Sequence, residues 1–543
     1  MRKKLMIVGI ALLLAGCGNK AETEKESKKE TAQEISIVVE NELSTLDSTL
    51  ASDTYGITVL NNVMEGLYRL DENNQLIIAG ASELPDVSDD LLTYKIKLNK
   101  EAKWSNETPV TAADYVYAWQ KAVNPKTGSE YSYLFNSVLN APEITEGKKP
   151  IEELGIKAID DYELEITLAQ ATPYFESLLA FPTFFPQNKA FVEKEGGDYA
   201  KTNENLIYNG PFVLEDFDGA GTDTTWDYVK NKNYWDNKKV KLAKISNQVI
   251  KEPGTSVKLF EAGELDDLPL SGEFAQQYRD NEAFVSLDKA GTTYLSYDQR
   301  EGLFTNSKAR KAISLVLNRE EIIENILADG SIVPKGLVPS GMSFAPETNK
   351  DFADVTTNYV KTDVEEAKKL WKEAKEETKT GDVTLELLSY DVDSIRKLAE
   401  AIQFAIEDNL EGAKVSVSIV PVSVAVEKGR NTEFDLFLFG WGADYADPSS
   451  FLDLMKTDSP YNYGKYSNKE YDALVESAAT TNVTEPEKRW ADFVKAENLL
   501  MEETGVNPIF QKAESRLRNP QLKGIISHSV GAQFDFKEAY LEE

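Results

Sequence analysis

Cys17 is the only cysteine among the 543 residues of this chain, so no disulfide can form within it. The fold therefore has to be held together by its hydrophobic core. A chain of this length buries most of the surface of its unfolded form and can build such a core without covalent help. The same length predicts two to four domains.

Cys17 follows a segment with the pattern of an export signal. Residues 2–4 are basic, and the apolar run 5–15 is too short to span a bilayer. The run closes on Leu-Ala-Gly-Cys, a pattern that is cleaved before the cysteine after diacylglycerol is attached to its thiol. We expect residues 1–16 to be a signal peptide and Cys17 to be lipidated. A short membrane anchor with an incidental cysteine is the alternative.

Residues 17–34 are rich in Lys, Glu, Ser and Thr and hold almost nothing apolar. Such a segment cannot bury enough surface to offset its ordering entropy, so we expect a flexible tether behind the lipid. Two or three acyl groups on one cysteine suffice for stable anchoring. No later stretch approaches twenty apolar residues, and we expect the rest of the chain to be soluble.

The formal net charge is −33, and it becomes −36 when the three basic residues 2–4 leave with the signal. A nucleic-acid partner is disfavoured, because phosphate contacts need a basic face. The acidic excess favours cationic or neutral ligands over anionic ones. A solvated surface explains most of this charge, and the charge alone does not specify a function.

Hydrophobic patterning predicts strands that alternate with helices, with many strands in antiparallel pairs, which is typical of an α/β architecture. A strand is expected at 34–40 from its alternating apolar residues, and Thr111 with Asp114 forms a capping box that opens a helix through Val123. Further strands are expected at 92–98, 294–297, 414–422 and 505–511. Helices are expected at 307–317, 363–377, 394–409 and 485–501.

The segment 434–448 holds the strongest candidate site. An apolar, β-prone run reaches Gly440 and Gly442, where we expect the strand to break, and is followed by Asp444 between Trp441 and Tyr445. Glycines on both sides of a large aromatic residue let another backbone approach closely. A carboxylate at the end of an apolar strand suits a single ammonium group. The alternative is structural: a buried strand, a turn, and a helix capped by residue 447 with a proline at its first position.

Several enzyme classes find little support in the composition. A zinc site needs three or four His, Cys or acidic ligands, and the chain has one histidine, His528, which we expect to be an ordinary surface or cap residue. The same scarcity argues against a Ser-His-Asp triad, and residues 341–345 lack the second glycine of a nucleophile elbow. No metal or cofactor is expected. A glycosidase built on paired carboxylates stays open, because 92 acidic residues form many pairs by chance.

Five fragments of the sequence follow one another along the chain: Glu65 to Tyr68, Ser105 to Asp114, Asn209 to Phe212, Asn233 to Trp235 and Gly440 to Pro448. In this order they resemble the peptide-binding lipoproteins of bacterial ABC importers, the peptide/nickel solute-binding protein family. The motif Gly-Trp-x-Ala-Asp-Tyr-x-x-Pro of that family matches the segment that contains Asp444. Glu107 stands where the family has a glycine.

The resemblance implies an α/β fold with two lobes that close like a Venus flytrap, together with an extra third domain. Lobe I would combine residues 35–55, 206–291 and 503–543. The extra domain II would be 56–205, and lobe III would be 292–502. A ligand in the cleft would contact both lobes, which would close over it by a hinge motion.

The resemblance also implies roles for individual residues. Asp444 would take the α-amino group of a bound peptide, and backbone groups near 440–442 and 294–296 would pair with the peptide like an added strand. Trp441, Tyr131 and Tyr294 would form walls, with plain core packing as the alternative. The residues expected to contact the peptide are Glu42, Tyr131, Ser271, Tyr294, Leu295, Gly440, Trp441, Gly442 and Asp444.

The function implied is the capture of short peptides outside the cytoplasm and their delivery to the membrane subunits of an ABC permease. The protein would be a monomer, lipid-anchored to the outer face of the cell membrane. The closest alternative is a dedicated receptor for a hydrophobic peptide pheromone with the same import system. A nickel or heme receptor has little support from a single histidine, and a cell-surface hydrolase of the glycosidase type is the alternative from a different class.

Overall fold

A computed structural model of the protein describes residues 33–270, 272–443 and 445–542. The predicted signal peptide, the lipidation site Cys17 and all but the last two residues of the predicted tether lie outside the described residues. Ser271 and Asp444 lie outside them as well. The predictions made for these residues therefore stay predictions.

The part of the chain up to residue 205 begins with a strand whose alternate residues Ile35 and Ile37 are buried, as predicted, and Val38 is buried too. A helix that starts after Thr111 confirms the predicted capping box, since the Asp114 carboxylate accepts from the Thr111 backbone N–H at 2.8 Å. The elements are β1 (Glu34–Val39), α1 (Thr54–Val63), β2 (Tyr68–Leu70), β3 (Leu76–Ile78), β4 (Asp86–Val87), β5 (Thr93–Lys97), α2 (Ala112–Val123), α3 (Ala141–Thr145), β6 (Ile156–Asp160), β7 (Glu163–Thr167), α4 (Phe175–Leu178) and α5 (Lys189–Glu195).

The next part, through residue 297, is mostly strands. It ends in a long strand that contains the predicted strand 294–297. The elements are β8 (Phe212–Glu215), β9 (Thr225–Lys230), β10 (Lys244–Val249), α6 (Pro253–Glu261), β11 (Asp267–Leu270), α7 (Gly272–Tyr278) and β12 (Phe284–Tyr297).

The C-terminal part alternates helices and strands, and each predicted helix and strand here is found within about two residues, except that the last long strand runs on to Arg518. The elements are α8 (Ser307–Val316), α9 (Arg319–Ile322), α10 (Phe352–Val355), α11 (Val364–Thr378), β13 (Val383–Tyr390), α12 (Asp393–Asn409), β14 (Ala413–Val420), α13 (Val422–Asn431), β15 (Leu436–Gly442), α14 (Ser449–Leu452), α15 (Lys469–Ala479), α16 (Pro486–Glu502), β16 (Asn507–Arg518), β17 (Leu522–Lys523), β18 (Ile526–Ser527), β19 (Phe534–Asp535) and β20 (Tyr540–Leu541).

A large mixed sheet joins distant parts of the chain. Its strand order is β14-β13-β15-β12-β16-β11-β1-β10-β9-β8. The pairs β1/β10, β1/β11, β13/β14 and β13/β15 are parallel, and the other neighbours are antiparallel. The predicted α/β architecture with antiparallel pairs is therefore confirmed.

The long strands β12 and β16 lie at the middle of this sheet. Their pairing is irregular between Asp288 and Thr292, where the register shifts. A register shift bends and twists a strand pair. Strands β8–β11 and β1 follow on one side of this pair, and β13–β15 on the other.

The predicted domain boundaries fall at different places relative to these elements. The boundary 291/292 lies inside β12 at the register shift, and 502/503 lies at the end of α16. The boundary 205/206 follows a short 3₁₀ segment, whereas 55/56 lies inside α1. The boundaries stay predictions.

A second sheet, β4-β5-β7-β6, is antiparallel and lies within residues 86–167. Tyr94 and Ile96 of β5 and the alternate residues of β7 point to one buried face, as the alternation in the sequence predicts. Tyr94 and Trp119 each pack edge-on against Phe175, with ring centroids 5.0 and 6.5 Å apart, so α2 and α4 cover this sheet.

A buried polar cluster, the Glu65 cluster, holds three of the family-like fragments together. The Glu65 carboxylate, 1% exposed, accepts from Arg69 Nε at 3.2 Å, from Trp235 Nε1 at 2.7 Å and from the Tyr234 hydroxyl. The Arg69 guanidinium also donates to Asp535 at 2.5 Å. These contacts connect the start of β2 with the loop before β10 and with the C-terminal strands.

The fragment around Asn209 completes the Glu65 cluster. The Asn209 side chain accepts from the Glu65 backbone N–H at 3.0 Å and donates to the Glu65 carbonyl at 2.8 Å. A Cβ on Gly66 would lie 2.4 Å from the Phe185 ring, and one on Gly210 would lie 2.6 Å from a backbone carbonyl at the end of α1. The fragments are thus needed for close packing and hydrogen bonding within the fold.

Candidate functional site

Strand β15 carries the candidate motif toward its C-terminal end. It continues through Gly442, so the predicted break at the glycines is wrong: Gly440 pairs with Thr293 and Gly442 with Gly291 in the ladder with β12. A Cβ on Gly440 would lie 3.0 Å from Thr293 Oγ1, whereas one on Gly442 would meet nothing within 4 Å. Close packing therefore explains why residue 440 is a glycine, but it gives no structural reason for a glycine at 442.

The other edge of β15 is open near these glycines. Strand β13 pairs with β15 only at Leu436 and Phe437, and no other strand of the described residues covers the edge beyond them. The Ala443 N–H donates to β12 at 2.7 Å. Because successive residues of a strand turn their backbone groups to opposite edges, those of Gly440 and Gly442 point to the open edge.

The open edge is available for an added strand. Unpaired N–H and C=O groups at a sheet edge are a template for another extended chain, and glycine lets that chain approach closely. Gly440 and Trp441 are half-buried and Gly442 is exposed. The peptide contact predicted for residues 440–442 stays a prediction.

Strand pairing on both sides of β12 contradicts the expectation that the backbone near Tyr294 and Leu295 pairs with an added peptide strand. Tyr294 pairs with Phe439 on one side and Pro508 on the other, and Leu295 is likewise flanked by β15 and β16. Both side chains are buried, at 2% and 0% exposure. Their backbone groups already belong to the sheet, so an added strand finds no free edge there.

A cavity of about 470 Å³, the Trp441 cavity, lies beside the open edge. Two parts of the chain line it, residues 133–178 and residues 441–461. Its volume is in the range of ligand pockets. Aromatic and polar side chains dominate the lining, which consists of Tyr133, Leu134, Asn136, Ser137, Gln170, Tyr174, Leu178, Trp441, Tyr445, Ser449, Ser450, Asp453, Leu454, Ser459, Pro460 and Tyr461.

Two aromatic pairs shape the walls of the Trp441 cavity. Trp441 packs edge-on against Tyr461 with ring centroids 5.0 Å apart. Tyr174 stacks on Tyr445 at 3.8 Å with the rings nearly parallel. The second pair joins the two parts of the chain that line the cavity, and such pairs are worth about 0.5–1.5 kcal/mol beyond their buried area.

Asp447 is part of an ion pair next to the Trp441 cavity. Its carboxylate accepts from both terminal nitrogens of Arg489, at 2.7 and 2.8 Å, and from the Ser449 backbone N–H at 3.0 Å. Burial alone would raise the pKa of Asp447, but the Arg489 guanidinium holds it below its ordinary value. The short helix α14 begins at Ser449, so Pro448 precedes the first helical residue, one position earlier than expected.

Asp453 is the only charged residue in the described lining of the Trp441 cavity. Asp453 is exposed to solvent, yet many protein atoms surround its carboxyl group, and the resulting desolvation raises its pKa to about 6. The carboxylates of Asp447 and Glu476 add to this rise, and the positive charges of Lys456 and Arg489 oppose it. Sequence analysis did not single out Asp453, because no pattern marks it.

Two other predicted residues lie away from this lining. The Glu42 carboxylate accepts from Lys251 Nζ at 2.8 Å, and this hydrogen bond is the main reason that the pKa of Glu42 is lowered. The Tyr131 hydroxyl donates to the Ser52 carbonyl at 3.2 Å, and its ring packs against the cavity residue Tyr133 at 5.9 Å. Tyr133, which packs against Tyr131, thus lines the same cavity as Trp441, whereas Glu42 does not line it.

His528 differs from its predicted place. It is buried, at 7% exposure, and burial lowers its pKa, so the prediction of a surface or cap residue is wrong. Within the described ranges, no group of three or more His, Cys, Asp or Glu side chains is arranged to hold a metal ion.

A larger groove of about 1270 Å³ lies along α11 and beside the C-terminal end of α12. Its lining carries lysines and carboxylates that pair with one another, such as Lys375 with Asp382 at 3.3 Å and Lys414 with Glu407 at 3.5 Å. Such pairs are typical of a solvated, charged surface. Among helices of the described chain, none is long and apolar enough to cross a membrane.

The chain is similar to proteins of a known family. The model of the bacterial extracellular solute-binding proteins, family 5 (middle), matches residues 76–463. The dipeptide-binding protein of Lactococcus lactis subsp. cremoris is 35% identical over 560 aligned positions, which cover 99% of this chain and 100% of the relative.

Solved structures show the same likeness in three dimensions. Listeria monocytogenes OppA bound to peptide is 40% identical, with a TM-score of 0.72 over 94% of this chain and 100% of that chain. The pheromone receptor PrgZ is 39% identical, with a TM-score of 0.74 over the same shares. These likenesses confirm the predicted fold class, an α/β, two-lobed fold of the periplasmic-binding-protein type.

Proposed function

Because the chain belongs to the bacterial extracellular solute-binding proteins, family 5, we propose that it captures short peptides and delivers them to an ABC peptide permease. The observation that carries this proposal is the open edge of β15 at Gly440 and Gly442, which lies beside the Trp441 cavity. An extended peptide needs such an edge for its backbone and such a cavity for its side chains.

A peptide of any sequence offers the same backbone, and the free groups of Gly440 and Gly442 would hydrogen-bond it as an added strand. Side chains would enter a roomy space whose polar lining keeps water in place, so that many side chains are tolerated. Fixed contacts to the peptide backbone and a hydrated space for its side chains suit a receptor that binds peptides with little sequence preference.

Asp444 would hold the α-amino group of the peptide. Its neighbours in the sequence, Trp441 and Tyr445, both line the Trp441 cavity, which supports a place for the amine nearby. Leaving a buried ammonium group without its partner costs about 2–5 kcal/mol, which corresponds to tens to thousands of times in affinity.

Calorimetry with a free tripeptide and its N-acetylated form tests the amine contact. In the wild-type protein, acetylation should weaken binding by at least tens of times. In Asp444→Ala the free peptide should bind as weakly, and acetylation should cost little more. Equal affinity of the wild-type protein for both peptides would show that Asp444 does not hold an amine.

Capture of a peptide pheromone is the second candidate function. The likeness to PrgZ, at 39% identity, and the aromatic walls of the Trp441 cavity favour it. Mass spectrometry of the ligands that co-purify with the protein separates the two: a mixture of short peptides supports nutrient uptake, and one apolar peptide supports a dedicated receptor. The relatives reported above are binding proteins and lend no support to a hydrolase, and turnover assays on peptides and sugars with the same preparation test that alternative.

The lobes would meet at the candidate site. Residues 35–55, 206–291 and 503–543 would form lobe I, residues 56–205 domain II and residues 292–502 lobe III, with the hinge near the register shift of β12 and β16. Glu42 and Ser271 would approach the peptide from lobe I. Small-angle scattering with and without peptide should show a smaller radius of gyration in the complex.

The protein would work outside the cytoplasm as a monomer, held at the outer face of the cell membrane by lipid on Cys17. The family description as extracellular supports the location. Metabolic labelling with a fatty acid should mark the wild-type protein and leave Cys17→Ser unlabelled and released from the membrane fraction.

A further inference from the structure

The described lining of the Trp441 cavity combines one negative charge with aromatic walls. Five of its sixteen residues are tyrosine or tryptophan, Asp453 is acidic, and none is basic. The remaining lining is mostly neutral and polar. A cavity with this lining attracts organic cations, because carboxylates and the faces of aromatic rings both interact favourably with a positive charge.

Asp453 has no partner of its own. Among the described residues, no hydrogen bond or ion pair engages its carboxylate. The two cations whose charges act on Asp453 are paired with other carboxylates: Lys456 pairs with Glu476 at 3.1 Å, and Arg489 pairs with Asp447 at 2.7 Å. The charge of Asp453 is therefore available to a ligand that enters the cavity.

We propose that the Trp441 cavity receives one basic side chain of the bound peptide, lysine or arginine, with Asp453 as its counter-ion. The inference rests on the proposed function, because it names the class of side chain that the peptide site prefers at one position. Trp441, Tyr445 and Tyr461 would pack along the aliphatic part of that side chain and face its charge.

Other side chains fit this space less well. An acidic side chain would meet the like charge of Asp453. An apolar side chain would displace water from Asp453 without offering a hydrogen bond in its place, so the Asp453 carboxylate would be poorly solvated. A basic side chain buries its methylene groups against the rings and keeps its charged end at the carboxylate and the remaining water.

A lysine scan tests the inference. Tetra-alanine and four variants with lysine at one position each are titrated into the wild-type protein by calorimetry, beside four matched variants with norleucine, which has a similar length and no charge. We expect one position at which lysine binds about tenfold more tightly than norleucine. The other positions should show little difference.

Three variants complete the experiment. Asp453→Asn should abolish the lysine preference at that position, whatever its effect on the affinity for tetra-alanine. Asp453→Lys should reverse the preference, so that norleucine binds more tightly than lysine at that position, which a purely structural role would not cause. Asp458→Asn, the matched control, removes the same charge from an exposed residue outside the cavity lining and should keep the preference.

The outcomes are distinct. If tetra-alanine binds but no position prefers lysine, or if the preference survives in Asp453→Asn, this inference is wrong and the proposed function stands. If none of the peptides binds to the wild-type protein, the proposed function fails, and this inference fails with it.

Discussion

Glu65 and Asp453 are both carboxylates among tyrosine and tryptophan rings, but their surroundings differ in the donors they offer. Glu65 is buried and accepts from Arg69, Tyr234 and Trp235. Asp453 lines an open cavity, and no donor of the described chain reaches it. A carboxylate whose oxygens are all engaged holds the fold together, whereas one that keeps its charge beside free space can serve a ligand.

Glu497 shows that a missing cation alone does not make a site. Its buried carboxyl group accepts from the backbone N–H of Leu337 at 2.6 Å, and burial raises its pKa to about 7. A Cβ on Gly336 would lie 2.1 Å from its oxygen, so the loop is packed tightly against it. No room remains for a ligand, and the free space beside Asp453 is therefore the deciding difference.

The first prediction tests whether the Glu65 cluster is structural. Glu65→Gln keeps the shape of the side chain but removes the charge opposite Arg69. Arg69 keeps its pair with Asp535, but an amide cannot accept from Arg69, Tyr234 and Trp235 as the carboxylate does. Because hydrogen bonds to a charged group are the strong ones, we expect the free energy of unfolding to fall by about 3 kcal/mol. Urea denaturation followed by tryptophan fluorescence measures it. The exposed control Glu72→Gln should shift the midpoint little, and equal midpoints for the two variants would contradict the structural role.

The second prediction uses the raised pKa of Glu497. In the folded protein Glu497 keeps its proton up to about pH 7, whereas in the unfolded chain its pKa has the ordinary value of 4.5. The free energy of unfolding therefore falls as the pH rises from about 4.5 to about 7. Glu497→Gln cannot ionise and should stabilise the protein by about 2–3 kcal/mol at pH 8. The advantage should shrink to about 1 kcal/mol at pH 5.5.

Urea denaturation at both pH values measures the effect of Glu497→Gln. The control Glu502→Gln changes an exposed carboxylate of the same helix and should show no such pH dependence. A constant difference between Glu497→Gln and the wild-type protein at both pH values would mean that Glu497 is ionised throughout.

The two regions also differ in how far the sequence could predict them. Strands and helices followed from apolar alternation and from the capping box at Thr111, which are local patterns. The Glu65 cluster depends on contacts such as those of Asn209 and Trp235, which lie 144 and 170 residues from Glu65 in the chain. The family-like fragments were visible in the sequence, but only the fold shows that three of them meet.

Asp453 could not be predicted for a related reason. Two distant parts of the chain line the Trp441 cavity and are joined by the stack of Tyr174 on Tyr445, and no spacing in the sequence encodes that contact. The open edge of β15 is also invisible in the sequence, since it depends on where β13 stops pairing. The motif predicted the region of the site, and tertiary contacts determine which of its groups are free.

The third prediction concerns the pH dependence of the lysine preference at the Trp441 cavity. The carboxyl group of Asp453 has a pKa raised to about 6, so it is charged at pH 7.5 and largely protonated at pH 5. The preference for lysine over norleucine should therefore fall from about tenfold to near one as pH falls through this range. Calorimetry at a series of pH values measures it, and the ratio of two peptides cancels effects on the shared amino group.

The pH test depends on which carboxyl groups near Asp453 can titrate in the same range. Asp447 and Glu476 are each paired with a cation, so Asp453 is the lining group expected to titrate between pH 5 and 7.5. In Asp453→Asn the preference should be flat with pH. A pH-dependent preference in that variant would assign the effect to another group.

The fourth prediction has the smallest expected effect and addresses the open edge of β15. Gly442→Pro removes the N–H that points away from β12 and leaves the ladder with β12 intact, a position where strands tolerate proline. If the peptide adds as a strand, it loses one hydrogen bond, worth about 0.5–1.5 kcal/mol or a few-fold in affinity. Gly442→Ala is the matched control, because it keeps the N–H and its Cβ meets nothing within 4 Å. Tetra-alanine should bind this control more tightly than it binds Gly442→Pro, and equal binding by the proline and alanine variants would mean that the peptide backbone does not use this edge.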